Sequence, residues 1–272
     1  MINYKHIFMI VFICFFVLSS HSSIASMPLN VQESNVRGTQ FTVSWKTSSN
    51  VKAKIKYGKL KTNYQQWQTA FDDRGEEVNS DIHHITVHNL SPNTTYYYEI
   101  LSGNVIDNNK KDYYRLATGP ELININRFCQ PAGKILIDRI NNQISFQTIV
   151  YIRILGKTEN SALESMISSN QYWYRDLANF RTMNHSDLFF YECGKSMIKV
   201  DIEGGKNGAA SMETLAVHYE SSDDERPSLF LNPCPIHIEL ENIIRMLKVL
   251  CGFSVDQYQH KIQMSDIIKR IK

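Results

Sequence analysis

The chain has 272 residues, of which 43% are hydrophobic and 21% charged, with 12 Gly and 7 Pro. This composition excludes a disordered polymer and a collagen-like repeat and indicates a chain that folds. The formal net charge of +2 at pH 7 is too small to attract nucleic acid or an anionic membrane over a long range. The 13 Phe, 14 Tyr and 3 Trp outweigh the glycines, and this balance favours a mostly β protein.

The first 25 residues have the pattern of a secretory signal. Lys5 and His6 precede an apolar run over residues 7–18, and small residues follow around Ser23 and Ala25. As a helix the run covers about 18 Å, which is shorter than the ~30 Å hydrocarbon core of a membrane. We therefore expect cleavage after Ala25 and export to the periplasm, the extracellular space or the cell surface. No later stretch is long and apolar enough to predict a membrane span in the mature chain.

Four cysteines follow the signal, at Cys129, Cys193, Cys234 and Cys251. In an oxidising compartment they could form two disulfides, and the sequence leaves all three pairings open. None of them lies in a Cys-x-x-Cys motif, so neither a thioredoxin-like redox centre nor an attached haem is predicted. We expect no cofactor and no metal.

Residues 27–119 alternate in the way of half-buried β-strands. Phe41, Val43 and Trp45 share one face, and Thr42 and Ser44 lie on the other. A turn over residues 90–94 then forms a corner between strands. The hydroxyl of a tyrosine just after such a turn can bond the upstream backbone and tie two sheets together.

This segment resembles a fibronectin type III domain. The residues that carry the resemblance lie in the second and third strands and at the corner: Trp45, Tyr57, Leu90, Pro92, Thr94, Tyr96 and Tyr98. The strings at residues 43–47, 55–58 and 84–87 are similar to the sandwich that precedes the catalytic domain of purple acid phosphatases. Those enzymes bind two metals through Gly-Asp, Gly-Asn-His and Gly-His-x-His loops, and these strings do not occur after Gly119. The resemblance therefore implies a fold without phosphatase chemistry.

Histidines and scattered carboxylates offer weak candidates for a catalytic or metal site. His84 and His88 share a strand face but stand roughly 13 Å apart, so we interpret them, with His83, as solvated. The adjacent Ser186 and His185, with Asp187, point in different directions and lack a nucleophile elbow. Asp176 and Glu192 are expected to be solvated surface charges.

Residues 120–233 predict a second sandwich, because short apolar strands restart after Gly119 and no amphipathic stretch of helix length interrupts them. The expected strands include residues 135–137, 144–146, 149–155, 172–174, 188–191, 198–202 and 215–217. The order of Gly133, the string at residues 150–152 and Trp173 is similar to a carboxypeptidase-regulatory-like or transthyretin-like sandwich of secreted bacterial proteins. That resemblance implies a β-sandwich fold for this segment.

Residues 234–272 predict a short helical pair. Apolar residues recur at helical spacing: Ile243, Ile244, Leu247, Leu250, Ile267, Ile268 and Ile271. The pattern resembles a dockerin tail, but the loop that would bind calcium places Val255, Gln257 and Gln259 at ligand positions, where carboxylates are needed. We expect this apolar stripe to dock on the second sandwich or on a partner.

The sequence as a whole predicts two tandem β-sandwiches and a helical tail that serve as an exported, non-enzymatic structural or protein-interaction subunit of an extracytoplasmic assembly. A carbohydrate-binding or adhesion module is the first alternative, in which Trp67, Tyr113 and Tyr114 would form a stacking platform for a glycan. Packing in the core or at a sheet edge is the other interpretation of these three rings. A hydrolase accessory protein is the remaining alternative.

Overall fold

The computed structural model describes residues 26–123, 128–136, 147–168, 171–219 and 226–231. The chain divides into two compact units at Pro233, and the second unit lies outside the described residues. Within the described part the protein is mostly β, with several antiparallel sheets and short 3-10 turns. Among these residues no helix is long and apolar enough to cross a membrane.

The first sandwich consists of two facing sheets. Its strands are β1 (Leu29–Ser34), β2 (Phe41–Val51), β3 (Ala53–Gly58), β4 (Gln68–Phe71), β5 (Ser80–Val87), β6 (Thr95–Ser102), β7 (Val105–Asp107) and β8 (Tyr114–Ala117). One sheet has the order β1-β2-β5, and the other has the order β4-β3-β6-β7, with β8 also paired to β6. Their inner faces enclose one hydrophobic core, which contains Phe41, Trp45, Ile55, Ile85, Tyr98 and Ile100.

The second sandwich has its own core. Its strands are β9 (Ala132–Leu136), β10 (Ile149–Leu155), β11 (Glu164–Ile167), β12 (Tyr172–Tyr174), β13 (Met197–Glu203), β14 (Ala209–Leu215) and β15 (Ser228–Phe230). The sheet β11-β10-β13-β14 faces the sheet β12-β9-β15, in which β15 runs parallel to β9. The core between them contains Ile135, Val150, Ile152, Trp173, Phe180, Val200 and Leu229.

The prediction of a β-strand at residues 188–191 is wrong. This segment is irregular, and within the described residues it forms one bridge, between Leu188 and Arg181. Tyr191 is nevertheless buried in the second core. Apolar spacing reports which side chains are buried, and an irregular segment can bury them without pairing its backbone.

Candidate functional site at the junction of the sandwiches

The outer face of the β1-β2-β5 sheet is covered by the second sandwich. Thr42 and Ser44 are both 0% exposed, so the prediction that β2 is half-buried is wrong. Ser44 Oγ lies 2.9 Å from Tyr151 Oη in β10, and Thr42 Oγ1 accepts a hydrogen bond from Asn35 Nδ2 at 2.9 Å. Burial raises the pKa of Tyr151 to about 12, so its hydroxyl stays protonated at neutral pH.

Asn35 closes the free edge of β11 in the way that another strand would. Its backbone N–H donates to Leu163 O at 3.0 Å. Its side chain accepts from Ser165 N at 2.9 Å and donates to Ser165 O at 3.0 Å. Asn35 follows β1 with φ 51°, a left-handed conformation that Asn adopts more readily than most residues. One residue of the first sandwich thus satisfies three backbone groups of the second.

Glu164 is a buried carboxylate that both sandwiches neutralise. Its side chain is 2% exposed, and Arg37 Nη2 from the first sandwich donates to its Oε2 at 2.7 Å. Arg175 of the second sandwich donates to the same oxygen and also to Asn35 Oδ1 at 3.1 Å. A buried carboxylate without partners is strongly destabilising, so the charge of Glu164 favours the docked arrangement of the two domains.

A chain of Asp73, His84 and Ser165 crosses the junction. Asp73 Oδ2 lies 2.8 Å from His84 Nδ1, and His84 Nε2 lies 2.8 Å from Ser165 Oγ. Burial alone would raise the pKa of Asp73, but its hydrogen bonds to His84 and Thr86 hold it below the usual range. The sequence gives no signal for this chain, since Ser165 lies 81 positions from His84.

The order of these groups is that of a nucleophile, base and acid, but the surroundings of the serine are those of a structural contact. Ser165 is 2% exposed, and its Oγ also lies 2.6 Å from Ser34 Oγ and 3.3 Å from Asn35 Nδ2. A nucleophile needs room for a substrate carbonyl about 3 Å from its oxygen. Protein side chains surround Ser165 Oγ instead, so we assign these hydrogen bonds to domain docking.

The other end of the junction is made by the turn between β13 and β14. Lys206 N–H donates to Asp81 Oδ2 at 2.7 Å, and Lys46 Nζ pairs with Glu203 at 3.0 Å. Gly205 has φ +59°, and a Cβ there would lie 2.4 Å from the Asp81 carboxylate. Glycine is therefore required both by the backbone conformation and by the close approach of the two sandwiches.

Arg181 binds the linker between the two sandwiches, which passes through Gly119 and Pro120. Its Nη1 donates to Pro120 O at 2.9 Å and to His185 O at 3.0 Å. Burial, together with the nearby charge of Arg37, lowers the pKa of Arg181. A Cβ at Gly119 would lie 2.6 Å from His185 O, so the linker backbone also packs tightly on the second sandwich.

The residues that carry the fibronectin type III resemblance form the core and the corner of the first sandwich. Five of these residues are buried: Trp45, Tyr57, Leu90, Tyr96 and Tyr98. Trp173, named for the second sandwich, is buried in its core. Tyr96 Oη accepts a hydrogen bond from Ser91 N at 2.9 Å, which is the contact that the corner motif predicts. At the same corner Thr94 Oγ1 donates to Pro92 O at 2.9 Å.

Two of the four predicted disulfide cysteines lie among the described residues, and they are bonded to each other. Cys129 and Cys193 form a disulfide with a Cα–Cα distance of 5.7 Å across 64 positions of sequence. Cys234 and Cys251 lie outside the described residues. The disulfide indicates an oxidising, extracytoplasmic location.

The rings proposed as a glycan platform separate into two groups. Trp67 and Tyr113 are in contact, with centroids 4.8 Å apart, and Tyr64 lies 5.2 Å from Trp67. Tyr114 instead stacks on the buried Tyr98, with ring centroids 5.0 Å apart. The prediction that Tyr114 belongs to the platform is therefore wrong. Tyr113 precedes β8, which begins at Tyr114, and has a left-handed backbone with φ 58°, so the two neighbouring rings do not share a surface.

The interpretation of the strand histidines as solvated holds for one of the three. His88 is exposed, whereas His83 is 0% and His84 is 3% exposed. The His83 ring packs against Trp45 at 5.1 Å in the first sandwich. His84 is covered by the second sandwich, and the periodicity of a strand in the sequence does not show whether another domain covers it.

The other candidate catalytic residues make local contacts. Ser186 Oγ donates to Asp187 Oδ2 at 2.7 Å, and Asp176 caps a 3-10 turn by accepting from Ala178 N at 2.9 Å. Glu192 pairs with Lys195 at 2.7 Å. Within the described ranges no group of three or more His, Cys, Asp or Glu could hold a metal ion.

Several predictions concern residues that the structure does not describe. These are the signal segment, the strand predicted at residues 144–146 and the dockerin-like tail. The predicted docking stripe lies in that tail and comprises Ile243, Ile244, Leu247, Leu250, Ile267, Ile268 and Ile271.

Residues 28–116 match the family model of the purple acid phosphatase N-terminal domain. These residues make up the first sandwich, in agreement with the resemblance seen in the sequence. Among curated proteins none matches the chain.

The solved structures that match the chain include a redesigned β-sandwich protein, which is 22% identical, with coverage of 34% of this chain and 94% of that chain. A structure of PhoD is 14% identical over 39% of this chain and 21% of that chain. The chicken CNTN1 FN1–FN3 domains are 13% identical over 72% of this chain and 67% of that chain. The TM-score is 0.26 in each case.

Proposed function

We propose that the protein is an exported, non-enzymatic structural subunit that holds two β-sandwiches in one fixed orientation within a periplasmic, extracellular or cell-surface assembly of proteins. The observation that carries the proposal is the junction, in which Asn35, Glu164 and Ser165 are buried and bonded across the two domains. The Cys129–Cys193 disulfide supports the location.

A polar junction of this kind supports a role as a rigid spacer, which holds two domains in one orientation, because its hydrogen bonds resist relative motion. Apolar surfaces can slide over each other at little cost, whereas hydrogen bonds lose their value when donor and acceptor move apart. One end of the junction is held where Asn35 bonds Ser165 and Arg37 pairs with Glu164. The other end is held where Lys206 N–H donates to Asp81. Rotation of one sandwich would therefore leave buried polar groups unpaired, which costs about 1–3 kcal/mol for each group.

The test is to purify the tagged protein from the cell envelope under mild conditions, in parallel with a Glu164→Ala variant. We expect the wild type to bring down companion proteins in fixed stoichiometry. The variant should bring down fewer, because Arg37 and Arg175 lose the carboxylate that joins them. Glu77→Ala removes an exposed carboxylate that pairs with Lys52 and serves as the matched control. A wild-type protein that purifies without companions would contradict the proposal.

The predicted helical tail provides a second test of where partners bind. Truncation after Asn232 leaves both described cores in place, because their members end at Leu231. If the tail docks on a partner, the truncated protein should fold normally and lose its companions. If it packs on the second sandwich, the truncation should lower the melting temperature instead.

Carbohydrate binding is the second candidate, and the cluster of Tyr64, Trp67 and Tyr113 favours it. Lys56 Nζ lies 4.8 Å from the Tyr64 ring, so polar donors stand beside aromatic faces, as sugar recognition requires. A Trp67→Ala variant should lose binding on a glycan array, whereas Phe71→Ala, an exposed ring on β4, should keep it. An array on which the wild type binds no glycan would exclude this candidate.

A further inference from the structure

Strand β14 forms an edge of its sheet without the features that usually prevent edge pairing. It spans Ala209–Leu215 and pairs with β13 in unbroken register over all seven residues. Every residue is exposed or half-buried, and the described residues supply no strand on its outer side. Natural edges are blocked by lysine, proline, bulges or short length, whereas β14 is long and regular and carries a single charge, at Glu213.

The hydrogen bonds next to β14 show which of its backbone groups face outward. Ala216 N–H donates to Ser196 O, and Gly204 N–H donates to Gly208 O, so the even-numbered residues face β13. In an antiparallel ladder the alternate residues point the other way. Ala209, Ser211, Glu213 and Leu215 therefore present their N–H and C=O groups at the edge, and Leu215 O accepts from Val217 N at 3.0 Å.

The opposite edge of the same sheet is closed. Ser165 in β11 has both of its outward backbone groups bonded by the side chain of Asn35. Within the described residues, domain docking therefore closes one edge of the sheet, and no strand pairs with the other edge.

Among the described residues, the second core is only partly covered beside β14. Ala210 and Met212 pack against this core but are only partly buried. A strand added at this edge would bury the inner side chains as well as pair the backbone.

We propose that the occupant of this edge is β14 of a second copy of the chain, paired antiparallel about a twofold axis at Met212. Outward-facing residues must pair with outward-facing residues, and this register places Ser211 opposite Glu213 and Ala209 opposite Leu215. All seven residues then overlap, no like charges face each other, and the two Met212 side chains meet at the axis. The two four-stranded sheets would become one continuous sheet, which is a self-complementary interface of the kind that closed dimers use. This inference does not depend on the proposed spacer role.

Charge substitutions at the edge test both the dimer and its register. Sedimentation equilibrium of the exported protein from micromolar to millimolar concentration should give a dimer. In a Ser211→Glu variant the new carboxylate faces Glu213 of the partner twice, so the dissociation constant should rise about 2- to 30-fold. The double variant Ser211→Glu/Glu213→Lys should restore dimerisation, because each glutamate then faces a lysine. Thermal unfolding of each variant in the dilute monomer confirms that it folds.

A cysteine at the axis gives a second measurement. In the proposed register Met212 forms a non-hydrogen-bonded pair with itself, with Cα atoms about 4.5 Å apart, which is within the range of a disulfide. A Met212→Cys variant should form an intermolecular disulfide that reductant removes. Thr214→Cys is the matched control, because its two copies would lie roughly 13 Å apart along the strands and should not cross-link.

A wild-type protein that stays monomeric at millimolar concentration would overturn the proposal. So would a dimer whose dissociation constant is the same in the wild type, Ser211→Glu and the double variant, since its interface would lie elsewhere. Cross-linking of Thr214→Cys in preference to Met212→Cys would exclude this register.

Discussion

Individual buried side chains set the stability of each sandwich. Trp45 is 1% exposed, its Nε1 donates to Ser102 Oγ at 2.9 Å, and its ring contacts His83. Asp72 is equally enclosed: its carboxylate accepts from Arg74 Nε at 2.7 Å and from Arg74 Nη2 at 2.9 Å. Trp45 contributes apolar contact and Asp72 contributes charge, so their removal should have different consequences.

Replacement of Trp45 by alanine should remove most of the stability of the first sandwich. Truncation of a buried Trp costs about 3–5 kcal/mol, compared with a total of about 5–15 kcal/mol for a typical domain. Denaturant unfolding and secretion yield measure the loss. Trp67→Ala is the control, because Trp67 is only half-buried and should cost about 1 kcal/mol. Equal losses in the two variants would contradict the role given to Trp45.

The stability of the first sandwich should fall in acid because of Asp72. Burial alone would raise the pKa of Asp72, but the hydrogen bonds and the charge of Arg74 hold it well below its usual range. The unfolded chain, with a pKa of about 3.9, therefore binds a proton that the folded protein does not. This contribution is fully present above about pH 4 and is lost as the pH falls towards the folded pKa.

Asp72→Asn should lower the free energy of unfolding by about 3 kcal/mol at pH 7, because it leaves the Arg74 guanidinium buried without its partner. The difference from the wild type should shrink as urea unfolding is repeated from pH 7 down to about pH 2. Glu77→Gln removes an exposed partner of Lys52 and should leave the profile unchanged. A constant difference at every pH would show that Asp72 is not responsible.

Two elements acquire their character from the neighbouring sandwich. Strand β2 is buried on both faces, with Val43 in its own core and Ser44 against Tyr151. The turn between β13 and β14 lies against Asp81 of β5, so Gly205 has no room for a side chain. In an isolated sandwich, neither the burial of Ser44 nor the need for glycine at position 205 would have a structural reason.

Gly205→Ala should destabilise the protein more than Gly194→Ala. Both glycines have positive φ, but a Cβ at Gly194 meets nothing within 4 Å, whereas one at Gly205 meets Asp81. The left-handed conformation costs alanine about 1–2 kcal/mol at either site, and overpacking at the junction should add about 1–3 kcal/mol. Thermal unfolding of the two variants separates these contributions. If they melt at the same temperature, Gly205 does not contact the first sandwich in solution.

At the scale of the molecule, the described residues form two hydrophobic cores joined by a polar junction. The two cores share no buried residue, so each sandwich could unfold separately if the junction were broken. In the intact protein the contacts of Asn35, Glu164 and Asp81 couple the two transitions.

Asn35→Ala should uncouple the sandwiches. It leaves Ser165 N–H and C=O without the partners shown here, at a cost of about 2 kcal/mol or more. Differential scanning calorimetry should show one transition in the wild type and two in the variant. Asn104→Ala, at an exposed position in the first sandwich, should retain one transition. Two transitions in the wild type would mean that the junction does not couple the domains.

The sequence by itself determined the features that depend on local alternation. Phe41, Val43 and Trp45 lie in the first core, and the Tyr96 hydroxyl bonds the upstream backbone at the corner. These features were predictable because a strand of period two and a tyrosine corner involve residues close in sequence. The mostly β character follows from the same patterns.

The tertiary structure alone decided what covers the polar faces of the strands. Glu164 pairs with Arg37 across 127 positions, and Arg175 reaches Asn35 across 140. Alternation assigns Ser44 and His84 to a face but does not say whether water or another domain lies against it. A buried polar side chain and a solvated one have the same pattern in the sequence. They differ only in whether a distant hydrogen-bonding partner replaces water, and the docking of the two sandwiches supplies that partner.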